Sequence, residues 1–168
     1  ELSYNKNHEN YGRIAQVMQN QVFNGQTETS YNQAMQLAPV LRNEYGNNFK
    51  HVVMSSWPED HTFSYSDKKL SQSGNFMEPG APGMLTLKML EGARSGLQDP
   101  HSILLSESMA AALFGNVDPM NKIITLDNRL EVKVTGVYAD LPQNSSFAGM
   151  SYIAPWQLKV QAENLEKR

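Results

Sequence analysis

The segment from Ser102 to Gly115 constrains this chain more than any other. Residues 102–105 are a short apolar run, Ser106 has a side chain suited to capping a helix, and Glu107 sets a negative charge in the first turn. Met109, Ala110, Leu113 and Phe114 then recur at the three- and four-residue spacing of one helical face. Gly115 stands where helices commonly end on a left-handed glycine. The pattern predicts a strand running into a two-turn helix over Glu107–Phe114, with both helix ends marked. On that reading Gly115→Val costs about 1 kcal/mol or more.

The residues after it are nearly as explicit. Asp118-Pro119 opens a turn, residues 122–126 read as a strand, Asp127-Asn128 as a hairpin turn, and Leu130–Tyr138 as the return strand. Strict alternation places Val132, Val134 and Gly136 on one face and Lys133, Thr135 and Val137 on the other. Leu141-Pro142 ends the pattern. Residues 151–154 suit a last strand and 156–167 a closing helix, with Trp156 in the core or at an interface.

The first half is less sharply written. Residues 1–13 are polar and rich in asparagine (Asn5, Asn7, Asn10) and read as a poorly specified lead-in. Residues 14–23 fit strand or helix, and Asn24-Gly25 favours a strand that turns there. Residues 30–45 read as a helix, with Pro39 near its start and Gly46-Asn47-Asn48 closing it. Residues 49–57 alternate like a strand that Pro58 stops. Residues 62–65 and 69–77 read as two strands around Ser66-Asp67-Lys68. Residues 78–83 hold two prolines and two glycines and read as a loop, residues 84–90 as a segment ending in a strand, and 92–100 as another loop. Strands and helices mix without a strict βαβ rhythm. The expected fold class is α+β: a mixed, mostly antiparallel sheet with short helices packed on it, one domain over 1–168 with a candidate small subdomain at about 49–92.

Composition narrows the function classes. The 168 residues carry 40% apolar side chains and a formal net charge of −3. That balance, without any Lys/Arg block, argues against a general nucleic-acid binder. Cysteine is absent, which excludes disulfides, thiolate metal sites and a cysteine nucleophile. No apolar stretch reaches the ~20 residues of a membrane-spanning helix. The first residue is Glu1 rather than methionine, so the chain reads as an excised or processed piece.

Candidate chemistry is sparse. The histidines His8, His51, His61 and His101 show no i, i+4 metal spacing. Glu59-Asp60-His61 is the best acidic–imidazole cluster, but three adjacent residues do not converge on one ion without special turn geometry, and solvated loop charges are the simpler reading. Ser66 and Lys69 fit S-x-x-K, whose chemistry needs the serine at a helix start; here the segment reads as a hairpin turn, with no S-D-N or K-T-G after it. Phosphate-binding glycine loops and G-x-S-x-G are missing, so neither catalytic residues, nor a cofactor, nor a metal site is assigned. Asn144-Ser145-Ser146 fits a glycosylation acceptor and reads more simply as a polar turn. The nine methionines and two tryptophans suit either a core or an adaptable binding face.

One resemblance emerges from the second half. Asp99-Pro100, Ser102-Ile103-Leu104-Leu105-Ser106-Glu107-Ser108, Ala110, Phe114-Gly115, Asp118-Pro119 and Lys122 fall in one order, followed by Gly136-Val137, Asp140-Leu141-Pro142 and Asn144-Ser145. This resembles the MacB-like periplasmic core domain of FtsX-type ABC transporter permeases, over about 50 residues and at many non-adjacent positions. The earlier chain matches more loosely, through residues 1–14, Leu37-Ala38-Pro39-Val40-Leu41 and residues 87–92. Two departures stand out: Met120-Asn121 replaces the usual Ile-Gly before Lys122, which implies a different turn geometry there, and residues 78–84 replace an aromatic-rich segment.

The resemblance implies a non-enzymatic domain on the periplasmic side of a bacterial inner membrane, lying between the first two membrane helices of a permease. A cytoplasmic ATPase subunit would be its partner through the membrane part, with a second permease copy and a periplasmic or outer-membrane protein as further partners. Contact with cargo and transmission of ATP-driven motion would be its work, in export of peptides or antimicrobials, lipoprotein release or signalling. The chain is also expected to be shorter than the whole family domain. The motif residues Asp99, Pro100, Ser106, Glu107, Ala110, Phe114, Gly115, Asp118, Pro119, Lys122, Gly136, Asp140, Pro142, Asn144 and Ser145 are expected to build the fold rather than to react. The alternative is a free-standing secreted binding module of the same fold.

Overall fold

The computed structural model describes residues 4–163. In chain order the elements are strands β1 (Gln19–Phe23) and β2 (Gln26–Ser30), helix α1 (Leu37–Tyr45), strands β3 (Glu59–Tyr65) and β4 (Lys68–Met77), helix α2 (Ala81–Met84), strands β5 (Met89–Gly92) and β6 (Ser102–Ser106), helix α3 (Glu107–Phe114), strands β7 (Ile123–Leu126), β8 (Leu130–Tyr138) and β9 (Tyr152–Pro155), and helix α4 (Trp156–Glu163). The fold is the expected α+β class.

Seven strands form one sheet in the order β5-β8-β6-β9-β4-β3-β7, and β7 pairs with β8 as well. That extra pairing joins the end of the order back to β8, so six strands close into a ring and β5 stands outside it. The β6–β8 and β4–β9 pairs are parallel and the others antiparallel. Strands β3, β4 and β5, which hold most of the regular structure between 49 and 92, all belong to this sheet. β1 and β2 form a separate hairpin around Asn24-Gly25, both in the left-handed region (φ 49° and 78°), as a two-residue primed turn requires.

Every residue of β6 is buried because both its faces are covered. Ile103 and Leu105 join a core with Phe63, Phe76, Val132, Val134, Tyr152 and the apolar face of α3, whereas Leu104 joins a second core with Met77, Leu85, Leu87, Tyr138 and Ile153. Strict alternation fails on β8. Ile103 pairs with Val134, but Leu104 pairs with Gly136, so Thr135 is an extra residue. This bulge brings Val137 into the core of Val132 and Val134 and turns Tyr138 to the second core, against the alternation expected from sequence.

Several local expectations change. Residues 49–57 make one isolated bridge, Ser55 to Met77, rather than a strand. Their backbone groups are met partly by side chains, Met54 N–H donating to Glu78 Oε2 at 2.8 Å and Arg42 to the Val52 carbonyl at 3.1 Å, and partly by backbone, Ser56 N–H donating to the Phe76 carbonyl at 2.8 Å. The expected helix from 30 starts only at Leu37, because residues 26–30 return the first hairpin. The presumed loop at 78–83 contains α2, with Pro82 early in the helix, where a missing N–H costs nothing. Leu85 and Leu87 are buried without being strand, and β5 begins only at Met89. The helix expected over 156–167 is seen as Trp156–Glu163, its remainder lying outside the described residues. Trp156 is half-buried against the first core.

Candidate functional site

Several of the fifteen motif positions lie in or beside α3, and the others lie in turns and strands elsewhere. Ser106 Oγ accepts the Met109 N–H at 3.3 Å, the cap expected from sequence. Asp140, arriving from the end of β8, adds a second acceptor: its Oδ1 takes the Ser108 N–H at 3.1 Å and the Ser108 hydroxyl at 2.9 Å. A carboxylate there also meets the positive end of the helix. Ala110 and Phe114 lie in the core, with Phe114 packed 4.5 Å from the Tyr65 ring, while Glu107 is exposed in the first turn.

Gly115 ends the helix, with a sharper requirement than a left-handed cap. Its φ is 62° and its ψ −115°, and Val117 N–H closes back on the Phe114 carbonyl at 3.2 Å. These are the marks of a type II′ turn with glycine at its first central position. Asp118 Oδ1 accepts the Met120 N–H at 2.8 Å, and Lys122 N–H reaches the Pro119 carbonyl at 3.2 Å. Asn121 sits at φ 62°, so asparagine takes up the left-handed conformation that the family's glycine would favour. Asparagine tolerates that conformation better than most residues, because its short polar side chain can bond locally.

The remaining motif residues pin loops. Asp99 Oδ1 accepts the His101 N–H at 2.8 Å, Ser102 Oγ donates to the Asp99 carbonyl at 2.6 Å, and Pro100 stands between the two. A Cβ on Gly136 would lie 2.9 Å from the side-chain ends of Leu104 and Met89 and 3.1 Å from the Glu91 carbonyl oxygen, so neighbouring chains approach closely there, while its φ is not the left-handed one. Ser145 N–H donates to the Pro142 carbonyl at 3.1 Å, and the Asn144 carbonyl accepts the Asn5 N–H at 2.8 Å. The lead-in is thus docked onto this loop, a feature that polar composition alone did not reveal.

Other titratable groups gather where α4 meets β3. Glu59 and His61 lie in β3 rather than in a loop. His61 Nδ1–H donates to Asp127 Oδ2 at 2.6 Å, and its Nε2, buried without a hydrogen bond, faces Glu59 Oε2 at 3.5 Å. Lys159 of α4 donates to Glu59 at 2.8 Å and to Glu163 at 2.7 Å. Burial pushes the Asp127 carboxyl up, but the Thr62 N–H, the His61 contact and Arg129 together pull it below its ordinary value. Burial likewise disfavours the Lys159 cation, and its bonds to Glu163 and Glu59 outweigh that and raise it. Burial, seconded by the Glu59 charge, drives the Tyr152 phenol far up, so that Tyr152 stays a neutral donor to the Glu59 carbonyl at 2.9 Å.

This cluster ties α4 to the sheet. Among the described residues no group of three or more His, Asp or Glu side chains could hold a metal ion. Ser66 sits at φ 54° in the β3–β4 turn, and Lys69 bonds Asn128 at 3.3 Å, so the S-x-x-K match has no helix to work from. An open cleft of about 720 Å³ lies along β7 and β8, bordered by Asp99, His101, Arg129, Glu131 and Lys133. Its lining carries both signs of charge and no nucleophile paired with a base.

Comparison with known proteins bears on this geometry. The sequence profile of the MacB-like periplasmic core domain matches residues 1–166. The chain belongs to the MacB-like periplasmic core domain family. Comparison with curated proteins gives no match. Among solved structures, this MacB-like domain is similar to a domain of a protein described as a permease from Porphyromonas gingivalis, at 23% identity and a TM-score of 0.58, over 71% of this chain and 55% of that one. It is similar to the extracellular domain of the noncanonic ABC-type transporter YknZ from Gram-positive bacteria, at 21% identity and a TM-score of 0.61, over 77% of this chain and 66% of the other. The periplasmic region of MacB from Actinobacillus actinomycetemcomitans matches at 18% identity and a TM-score of 0.59, over 77% and 58% of the two chains. The MacB-like domain therefore spans about 55–66% of the length of these relatives. No helix among its described residues is long and apolar enough to cross a membrane.

Proposed function

We propose that this MacB-like domain works on the periplasmic side of a bacterial inner membrane as part of an ABC permease, performs no chemistry, and passes motion driven by a cytoplasmic ATPase to cargo or to a partner protein. The observation that carries this reading is how the motif spends its polar groups. Asp99, Ser106, Asp118 and Asp140 all accept backbone N–H groups of this same chain. Side chains committed to caps and turns fit a structural frame. A second permease copy and a periplasmic or outer-membrane protein are the partners this reading expects, and it needs neither cofactor nor nucleic acid.

The test begins with the native gene on both sides of this sequence. Apolar stretches of ~20 residues flanking it support the permease reading. A cleavable signal upstream with a stop codon close downstream overturns it in favour of a secreted binding module. In the whole permease with its ATPase, Asp140→Ala is expected to lower cargo movement per ATP hydrolysed. Unchanged coupling in a variant shown to have a loosened α3 would refute the mechanical role.

A further inference from the structure

We propose that residues 5–9 form a strap that works as a strained latch: its docking holds the 85–87 and 144–147 loops in one joint conformation, and its release frees both together. The strap is outside any strand or helix, yet it bonds at two places far away in sequence. At one end the Asn5 N–H reaches the Asn144 carbonyl at 2.8 Å, Asn5 Nδ2 the Ser146 hydroxyl at 2.8 Å, and the Ser146 N–H returns to Asn5 Oδ1 at 2.7 Å. At the other end His8 Nδ1–H donates to the Leu85 carbonyl at 2.6 Å, and the Glu9 N–H donates to Thr86 Oγ1 at 2.9 Å. His8 is only 3% exposed and joins the two ends, since its Nε2 faces Ser145 Oγ at 3.4 Å and its ring meets Phe147 edge-on.

Thr86 supplies the strain. It lies at φ 49°, a region that β-branched residues rarely enter. Left-handed backbone disfavours an ordinary residue by a factor of about 5 to 30. Thr86 is held there by the strap through its hydroxyl and by its own N–H to the Gly83 carbonyl at 3.2 Å. On both sides stand Leu85 and Leu87, each buried in the second core. Relaxation of Thr86 to ordinary φ therefore shifts two core anchors and moves the Leu85 carbonyl that His8 grips. Loss of His8 in turn loosens Ser145 and the loop that follows Asp140, the residue capping α3. Strained backbone persists only where its surroundings hold it, so the Thr86 conformation and the docked strap depend on each other.

The inference deepens the proposed function and rests on it only for what pulls the strap. The coupling itself is a property of this chain, so amide hydrogen exchange on the 168-residue protein reads it independently. Asn5→Ala is expected to speed exchange about fivefold or more at Ser146 and also at Glu9 and Leu87, which Asn5 does not touch, while Val134 in β8 stays unchanged. Thr86→Asn, which tolerates positive φ and keeps an acceptor, is expected to slow exchange about fivefold at Ser146. Responses confined to the mutated end, with Ser146 unmoved by Thr86→Asn, would overturn the latch and leave the permease reading standing. Should Asn5→Ala speed Val134 equally, unfolding is global in that variant, and the Thr86→Asn result decides.

Discussion

Gly115 offers the sharpest test of how this frame is built. Its positive φ alone would admit asparagine, since helices also end on Asn in the left-handed region. Its ψ of −115° does not, because that corner is the mirror image of extended backbone and only glycine enters it freely. The site is otherwise roomy: a Cβ would meet nothing nearer than Lys68 Nζ at 3.5 Å, an ordinary contact with a flexible end. The cost of any side chain is therefore conformational and nearly independent of size. Left-handed backbone costs ~1–2 kcal/mol and glycine-only corners ~1–3 kcal/mol, so ~2–3 kcal/mol is expected for Gly115→Ala, Gly115→Asn and Gly115→Val alike. That exceeds the ~1 kcal/mol minimum expected from a simple left-handed cap. In a chain of this length it lowers the thermal midpoint by ~4–12 °C. Urea unfolding of the three variants, with m unchanged, measures the loss directly. If Gly115→Asn came within ~0.5 kcal/mol of wild type while Gly115→Val lost ~2 kcal/mol or more, the II′ geometry argument would be refuted and a left-handed cap restored.

Three further outcomes follow from single positions. Asn121 already occupies φ 62°, so Asn121→Gly should leave the urea midpoint unchanged or raise stability by up to ~1 kcal/mol, whereas Asn121→Val should lose ~1–2 kcal/mol; equal behaviour of the two would contradict the left-handed turn. At Gly74 a Cβ would collide with the Tyr152 carbonyl oxygen across the parallel β4–β9 pair, so Gly74→Ala should cost ~1–3 kcal/mol or more, and an unshifted melting curve would argue against so close a pairing. Asp127 is held below its ordinary value of 3.8 in the folded protein, so its contribution is present above that pH and disappears as pH falls through the folded value; Asp127→Asn should flatten the acid limb of the stability curve below about pH 4, and an identical limb in the variant would refute the Asp127–His61–Thr62 account.

The fold was legible from sequence wherever the signal is local. Ser106, Glu107 and Gly115 mark α3 correctly because a cap and a terminating turn act within three or four residues of chain. The Asn24-Gly25 and Asp127-Asn128 turns were legible for the same reason, since Asn, Asp and Gly pay little for positive φ. Residues 49–57 misled because alternation is necessary for a strand but not sufficient: the Arg42 and Glu78 side chains take the Val52 carbonyl and the Met54 N–H, which a ladder would otherwise need. The bulge at Thr135 was invisible, being a mismatch between β6 and β8 and not a property of either strand.

Residue order alone specifies the capped helix, the turns and their glycines, and through the ordered Asp-Pro, Ser-Glu and Phe-Gly signals the family to which the chain belongs. These are short-range conformational preferences, fixed by the chemistry of a few adjacent residues. Which groups meet across long stretches of chain is settled by the folded arrangement: Asn5 with Ser146, His61 with Asp127, Glu59 with Lys159, and β7 with β8 to close the ring. A polar residue looks the same in a solvated tail and in a docked strap. Burial and the position of its distant partner separate the two, and both are set by how the sheet closes.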